Sequence, residues 1–348
     1  MSDVDIGLVL APGPRGRCDA LRLGGAIVDH DAIGGRWRMW YYCRDEAFEG
    51  PPTLGTGRIA HAVSRDGIAW ERIDGSLQGG AVFAPSEDPS AFDSLHIGLT
   101  DVTRGAGEWL MWYFGGDRVP RETAALGAVA GLGMRPGLAR SRDGVSWERV
   151  GGLDPSGALL GLPADRIYAA WPNVLYDGAR WLMQVTEAAP DLGRFDTRLW
   201  LSYDARHWQP GGMLAWADGE RSFDAGGMVT RQVLLNPLPG GRRHLMIYTA
   251  VDAAHRRSIA AADSDDGRNW YHLYEEPIFT VGVAGAWDAF GVAANRLVIA
   301  NGRLFFYYYG FQSLGADEGR RGIGLATAPL GDLRALRRWN EGPAASGS

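Results

Sequence analysis

The chain has 348 residues, 46% of them apolar and 22% charged, with a formal net charge of −6, a globular composition without the basic run that nucleic-acid binding leaves. No stretch approaches the roughly 18 apolar residues of a membrane-spanning helix, and two cysteines, Cys18 and Cys43, make no disulfide framework. Glycine (50) and tryptophan (14) are unusually frequent, which favours many tight turns and recurrent aromatic packing in an all-β repeat protein.

The chain opens on Met1-Ser2-Asp3-Val4-Asp5, which lacks the basic start and apolar core of a secretory signal, so a cytoplasmic location is expected. Residues 6–10 have strand character. Five repeats follow. Each opens on an Asp (Asp19, Asp93, Asp165, Asp224, Asp288), followed in an inner strand by Val28, Val102, Val174, Val233 or Leu297. An aromatic-rich strand comes next, at 37–42, 109–114, 181–185, 244–248 and 304–309. Four repeats then carry Ser-x-Asp-Gly-x-x-Trp, beginning at Ser64, Ser141, Ser202 and Ser264, with Ala205 in the Gly place of the third. In such a hairpin the Asp accepts bonds from nearby backbone N–H groups and the Gly takes a positive φ.

The repeats recur about every 60–75 residues, room for about four short strands. The expected fold is all-β: a single five-bladed β-propeller of four-stranded antiparallel blades over 1–341, with a disordered tail at 342–348. The fifth repeat lacks the turn. Its third strand is expected at 322–328, and the N-terminal strand is expected to supply its outer edge and close the ring. In the second repeat, residues 119–134 form a long insertion, expected as a short helix or a lid.

Five blades, aromatic second strands and Trp/Phe-Asp openings resemble the five-bladed propellers of glycoside hydrolase families 32, 43, 68 and 130. The Ser-x-Asp-Gly-x-x-Trp turn is similar to the Asp-box of sialidases, one residue shorter. The resemblance spans roughly residues 5–340 and implies an axial pocket. In the family 32 and 43 groups it further implies an Asp in blade 1 as nucleophile or base, an Asp in blade 2 and a Glu acid in blade 3. Those families carry Asp-Pro on the inner strands of blades 1 and 2. The corresponding residues here are Gly25, Leu99, Trp171, Thr230 and Ala294, none acidic, and only Trp171-Pro172 keeps the Pro. The acidic triad is therefore not carried over.

In a repeat protein, residues shared by all copies serve the fold, and residues confined to one copy are freer to serve function. The column Cys43, Gly115, Glu187, Ala250, Gly310 holds one acid. Glu187 reads either as a partly desolvated acid–base group or as half of an ion pair with a neighbouring arginine. Two positions on, acids recur (Asp45, Asp117, Asp252), and Asp45 is a binding candidate. The inner-strand column Ile27, Asp101, Asn173, Gln232, Arg296 has Asp101 as its sole carboxylate, catalytic or paired with Arg231 or Arg296 across the channel. Three residues after each opening Asp stand Arg22, His96, Tyr168, Gly227 and Gly291, an asymmetry that suggests a pocket open on one side. His96 is a pocket group or a packed histidine, and Trp171 stacks on a sugar or packs in the core. Arg58, Arg135, Arg198, Arg257 and Arg321 recur before the third strands, as structural groups or as a cluster for phosphate or carboxylate. His30 and His61 lack metal-ligand spacing, no zinc cluster is present, and no metal or cofactor is expected.

The expected function is a glycoside hydrolase-like enzyme acting on a small-molecule or oligosaccharide substrate in an axial pocket by carboxyl acid–base chemistry. Glu187 and Asp101 are the expected catalytic groups. Arg22, His96, Tyr168, Trp171, Arg231, Arg296 and Asp45 are the expected binding groups. Two alternatives stay open: a propeller enzyme of lyase, isomerase or phosphorolytic type using Arg and His, and a non-catalytic binding propeller.

Overall fold

A computed structural model of the protein describes residues 5–105, 107–313 and 321–341; the expected tail, 342–348, lies outside them. Five antiparallel sheets follow one another along the chain. Blade 1 comprises Arg22–Asp31, Arg36–Arg44, Arg58–Ser64 and Glu71–Ile73. Blade 2 comprises His96–Gly105, Glu108–Gly116, Arg135–Ser141 and Glu148–Val150. Blade 3 comprises Tyr168–Tyr176, Trp181–Ala188, Asp196–Ser202 and Gln209–Met213, and blade 4 Met228–Leu235, His244–Val251, Arg257–Ser264 and Asn269–His272. Blade 5 comprises Gly291–Ala300, Arg303–Phe311 and Arg321–Pro329. Each inner strand contacts the inner strand of the next blade, and that of blade 5 contacts that of blade 1, which closes the ring.

The outer edge of blade 5 is built from both ends of the chain. Leu8–Leu10 pairs antiparallel with the third strand, Leu8 opposite Gly324. Arg337–Arg338 pairs with Thr327 and Ala326 on the same strand. Trp287 Nε1 donates to Ile6 O at 2.9 Å, a second tie on the N-terminal segment.

Two recurrent devices explain why the repeats fold alike. In the turns, Ser64 Oγ accepts from Gly67 N (2.9 Å) while Asp66 Oδ1 accepts from Ile68 N and Ala69 N (2.8 and 2.9 Å), and the pattern returns at Ser141 and Ser264. The turn carbonyl then receives a bond from the preceding blade: Trp40 Nε1 to Gly144 O, Gln184 Nε2 to Gly267 O, Tyr307 Oη to Gly67 O.

The second device is a buried clamp on the opening Asp. Asp19 accepts from Tyr41 Oη and Arg72 Nε (2.9 and 2.6 Å). Asp93 does so from Tyr113 and Arg149, and Asp288 from Tyr308 and Arg338. Asp224 takes Tyr248 and, in the arginine's place, His272 Nε2 (3.0 and 2.8 Å). In Asp19, Asp93 and Asp288 both bonds fall on Oδ2, a charge-assisted bond and a hydroxyl on one oxygen, and the buried Oδ1 has no hydrogen-bond partner among the described residues. Blade 3 lacks the clamp. Val185 stands where the other blades have Tyr, and the Asp165 side chain is 79% exposed.

The insertion in blade 2 is not a helix. It is a β-hairpin, Pro120–Thr123 paired with Gly127–Ala130, whose turn has Gly127 at φ 65° and Leu126 N bonded to Thr123 Oγ1. It docks on blade 1 through Ala130 N to Pro52 O and Leu54 N to Ala130 O. No helix among the described residues is long and apolar enough to cross a membrane.

Candidate functional site

Every inner strand is interrupted by a bulge partway along. The ladder to the second strand shifts register between Gly24 and Ile27, Leu99 and Asp101, Ala170 and Asn173, Met228 and Arg231, and Ala294 and Arg296. A bulge twists a strand and re-aims its side chains. Around this ring of bulges lies a cavity of about 400 Å³, within the size range of small-ligand pockets. Gly25, Leu99, Trp171, Thr230 and Ala294 all line it. Of these, Gly25 and Leu99, in blades 1 and 2, are the positions at which the family resemblance would place acids.

The polar lining comes from arginines, tyrosines and a histidine: Arg44, Arg231, Arg257, Tyr42, Tyr168, Tyr309 and His96, with Thr100, Thr230 and Asn295 at the bulges. Among the described residues no Asp or Glu lines the cavity. Trp171 holds φ at 51°, a region that bulky residues rarely occupy. Its ring sits 5.4 Å from that of Phe114 and 5.3 Å, edge-on, from that of Tyr168. Leu54, Leu132 and Met134, at the base of the insertion and the loop it docks on, extend this apolar wall.

Of the expected binding groups, His96, Tyr168, Trp171 and Arg231 line the pocket. His96 is buried, and its Nε2 faces Gly131 O at 2.8 Å; a carbonyl only accepts, so that nitrogen carries the proton. Burial, aided by nearby Arg44, lowers its pKa to about 3, so it is neutral at pH 7, with Nδ1 unpaired. Burial raises the Tyr168 hydroxyl above its ordinary value. Arg22 lies outside the lining and stacks on Phe48, 4.6 Å from the ring centroid. Asp45 also lies outside it, paired with Arg58 Nη1 at 2.5 Å.

The two carboxylates expected to do the chemistry are placed elsewhere. Asp101 lies one layer beyond the bulges, and all its accepting capacity is used. Oδ1 takes Arg296 Nη1 and Val102 N (both 2.8 Å), and Oδ2 takes Asn173 Nδ2 (2.9 Å) and Val174 N (3.3 Å). Asn173 Oδ1 accepts from Val233 N, and Gln232 Oε1 from Leu297 N. The column that contains Asp101 is thus a girdle over blades 2 to 5: Asp101, Asn173 and Gln232 each reach the next blade's backbone, and Arg296 returns to Asp101. Burial raises the Asp101 pKa, and Arg296 and the backbone donors oppose the rise.

Glu187 is buried and gripped by Arg198, Nε to Oε1 at 2.8 Å and Nη2 to Oε2 at 3.1 Å, with Arg166 Nε 3.6 Å away. Its column explains it. In other blades the small residue there makes room for the clamped Asp: a Cβ on Gly115 would lie 2.1 Å from Asp93 Cβ, and one on Gly310 2.6 Å from Asp288 Cβ. Blade 3 has lost its clamp, and the Glu187 carboxylate stands in this column.

Arg44, Tyr42 and Tyr309 line the pocket as well, though none is among the expected binding groups. Arg44 had a signal, since its column reads Arg44, Gly116, Ala188, Val251, Phe311, with one cation among small or apolar residues. It bonds Tyr42 Oη, Leu54 O and Gly55 O. Arg257 belongs to the recurrent column. Arg58, Arg135 and Arg198 each pair there with an acid, namely Asp45, Asp117 and Glu187. In blade 4 Asp252 is taken by Arg256 instead.

No protein-family model matches the chain, and no curated protein matches it by sequence. Solved structures do match its fold. A glycosyl hydrolase from Bacteroides ovatus has a TM-score of 0.62 at 14% identity, over 93% of this chain and 92% of that one. An N-acetylgalactosamine deacetylase from F. plautii, in complex with blood group B trisaccharide, has 0.62 at 16%, over 94% and 97%. The family 32 β-fructofuranosidase of Bombyx mori has 0.61 at 13%, over 94% of this chain and 63% of that one. The chain has the five-bladed fold of these proteins. At such identities the likeness is one of architecture.

Proposed function

We propose that the chain binds and transforms a small polar molecule of the sugar class in its axial pocket, with arginine, tyrosine and histidine groups in place of a carboxylate pair. The observation that carries this reading is the lining: a sugar-sized cavity with three guanidinium groups and no carboxylate among the described residues. Glycoside hydrolysis by two carboxyl groups needs both to face one bond, about 5–10 Å apart. Asp101 and Glu187 are each saturated by partners outside the cavity. This arrangement favours the Arg- and His-based alternative over carboxyl acid–base chemistry. Trp171 supports the sugar class, because a half-exposed indole at a cavity wall offers a flat apolar face to a pyranose. The carbohydrate-active proteins that share the fold support it too. The apolar wall of Phe114, Leu132 and Met134 favours a second reading, a binding propeller without turnover.

The test is an assay of the purified protein against neutral and acidic glycosides, with and without phosphate, beside direct binding measurements. Turnover that falls in Tyr168→Phe and His96→Gln while both variants melt like the wild type supports the enzyme. Binding without turnover supports the second reading. Turnover indifferent to changes at Trp171, Tyr168 and His96 removes the axial pocket from the account.

A further inference from the structure

Arg231 is a buried cation without a counter-charge among the described residues. It is 4% exposed and lines the axial cavity. Its Nη2 donates to Val229 O (3.0 Å) and to Thr186 Oγ1, while Nε and Nη1 have no partner. Burial alone lowers its pKa, to about 9, which leaves the group charged at neutral pH. An unpaired buried charge is costly unless a partner arrives to meet it. Arg257, also in blade 4 and also on the cavity lining, is the one described member of its column without an acid or hydroxyl partner; burial lowers its pKa as well, and Tyr309 and Tyr168 are the groups that offset this. Arg44 adds a third guanidinium, engaged with carbonyl oxygens. The positive cavity contrasts with a chain whose net charge is −6, so the sign is local to the pocket.

We propose that Arg231 and Arg257, on the blade 4 side of the axial pocket, seat an oxyanion, a carboxylate or phosphate carried by the small ligand. The inference rests on the reading of the axial pocket as the site, and it narrows the ligand class to acidic sugars and related small anions. Free N–H groups of a guanidinium and a carboxylate or phosphate oxygen make short, charge-assisted bonds. The partly occupied guanidinium of Arg231 fixes its orientation before the ligand arrives.

The experiment is isothermal titration with four probes: galacturonate, galactose 6-phosphate, galactose and inorganic phosphate. The proteins are the wild type, Arg231→Gln, Arg231→Lys and Arg257→Gln. The expected result is that one acidic sugar binds the wild type at least about tenfold more tightly than galactose, the scale of one charge-assisted bond. That preference is lost in Arg257→Gln and in Arg231→Gln and is partly kept in Arg231→Lys. Which acidic sugar binds more tightly separates carboxylate from phosphate. Because Arg231 is buried, its Gln variant is checked by thermal melting; Arg257 is only partly buried, and its variant carries the test if the first fails to fold. Equal binding of galactose and the acidic sugars to wild type and variants would overturn the anion seat and leave the sugar pocket standing. Phosphate binding that needs Arg257, with no sugar bound, would keep the seat and remove the sugar reading. No binding by any probe would overturn both.

Discussion

Arg296 on the inner strand of blade 5 reaches Asp101 on the inner strand of blade 2, Nη1 to Oδ1 at 2.8 Å, past the apolar Ile27 of blade 1. The contact joins two blades that are not neighbours along the ring's edge. With Asn173 and Gln232 it ties the inner strands of blades 2 to 5 into one hydrogen-bonded girdle next to the pocket.

Asp101→Asn is therefore expected to act on stability. It leaves the partly buried Arg296 without its counter-charge, at a cost of about 3 kcal/mol. Urea unfolding measures this. Ligand affinity in the folded fraction stays within about threefold of wild type, well short of the loss of a charged contact.

Glu187→Gln is expected to behave likewise. It removes a buried charge from between Arg198 and Arg166, both partly solvated, and costs about 2 kcal/mol. Thermal melting shows the loss, and turnover by the folded protein is unchanged. A fall in turnover of about a hundredfold, the range of general acid catalysis, with melting unaltered would restore Glu187 as an acid.

His272 takes the place that arginine holds in three other clamps, so the blade 4 clamp alone is titratable near neutrality. Its Nδ1 and Nε2 face Asp218 Oδ1 and Asp224 Oδ2 at 2.9 and 2.8 Å. Tyr248 and Arg221 bond the same carboxylates, and Trp216 stacks on the ring. Burial lowers the His272 pKa, but bonds to Asp224 and Asp218 outweigh it, and the net shift is upward from 6.5. A raised folded pKa means that the contribution is fully present below about pH 6.5 and is lost as pH rises through the folded value. Unfolding free energy measured between about pH 5.5 and 8.5 is expected to decline with pH in the wild type and to flatten in His272→Gln.

Ala205 sits at φ 62° in the third turn, where the other copies have Gly. Ala205→Gly relieves that strain and is expected to stabilise by roughly 0.5 kcal/mol. Gly144→Ala does the reverse and worse, because its Cβ would lie 2.9 Å from Trp40 Cζ2; a cost of about 2 kcal/mol in chemical denaturation is expected.

The propeller was legible because its devices repeat. Four Ser-x-Asp turns, three of them followed by Gly, and five aromatic strands agree in spacing, and the tyrosines of four of those strands are the clamp partners of the opening aspartates. The site was harder to read, because singularity in a column has two causes. Trp171 and Arg44 are singular and line the pocket. Glu187 is singular in the one blade that lacks the clamp, a relation visible only once Val185 and the exposed Asp165 are seen together. The sequence offers Arg231 and Arg296 alike as partners for Asp101; Arg296 holds that acid, and the chain order of the two arginines does not say which one crosses the axis. The insertion's Ala- and Gly-rich composition left helix and hairpin open, and docking on the blade 1 backbone decided it.

The most direct test of the central claim is a crystal structure of the protein soaked with galacturonate. The account predicts the sugar ring against Trp171 in the axial pocket, with its carboxylate within hydrogen-bond reach of Arg231 or Arg257, roughly 2.7–3.2 Å. A sugar bound instead at the Arg166, Arg194 and Arg198 surface between blades 3 and 4, or in the axial pocket with its carboxylate turned away from both arginines, would contradict it.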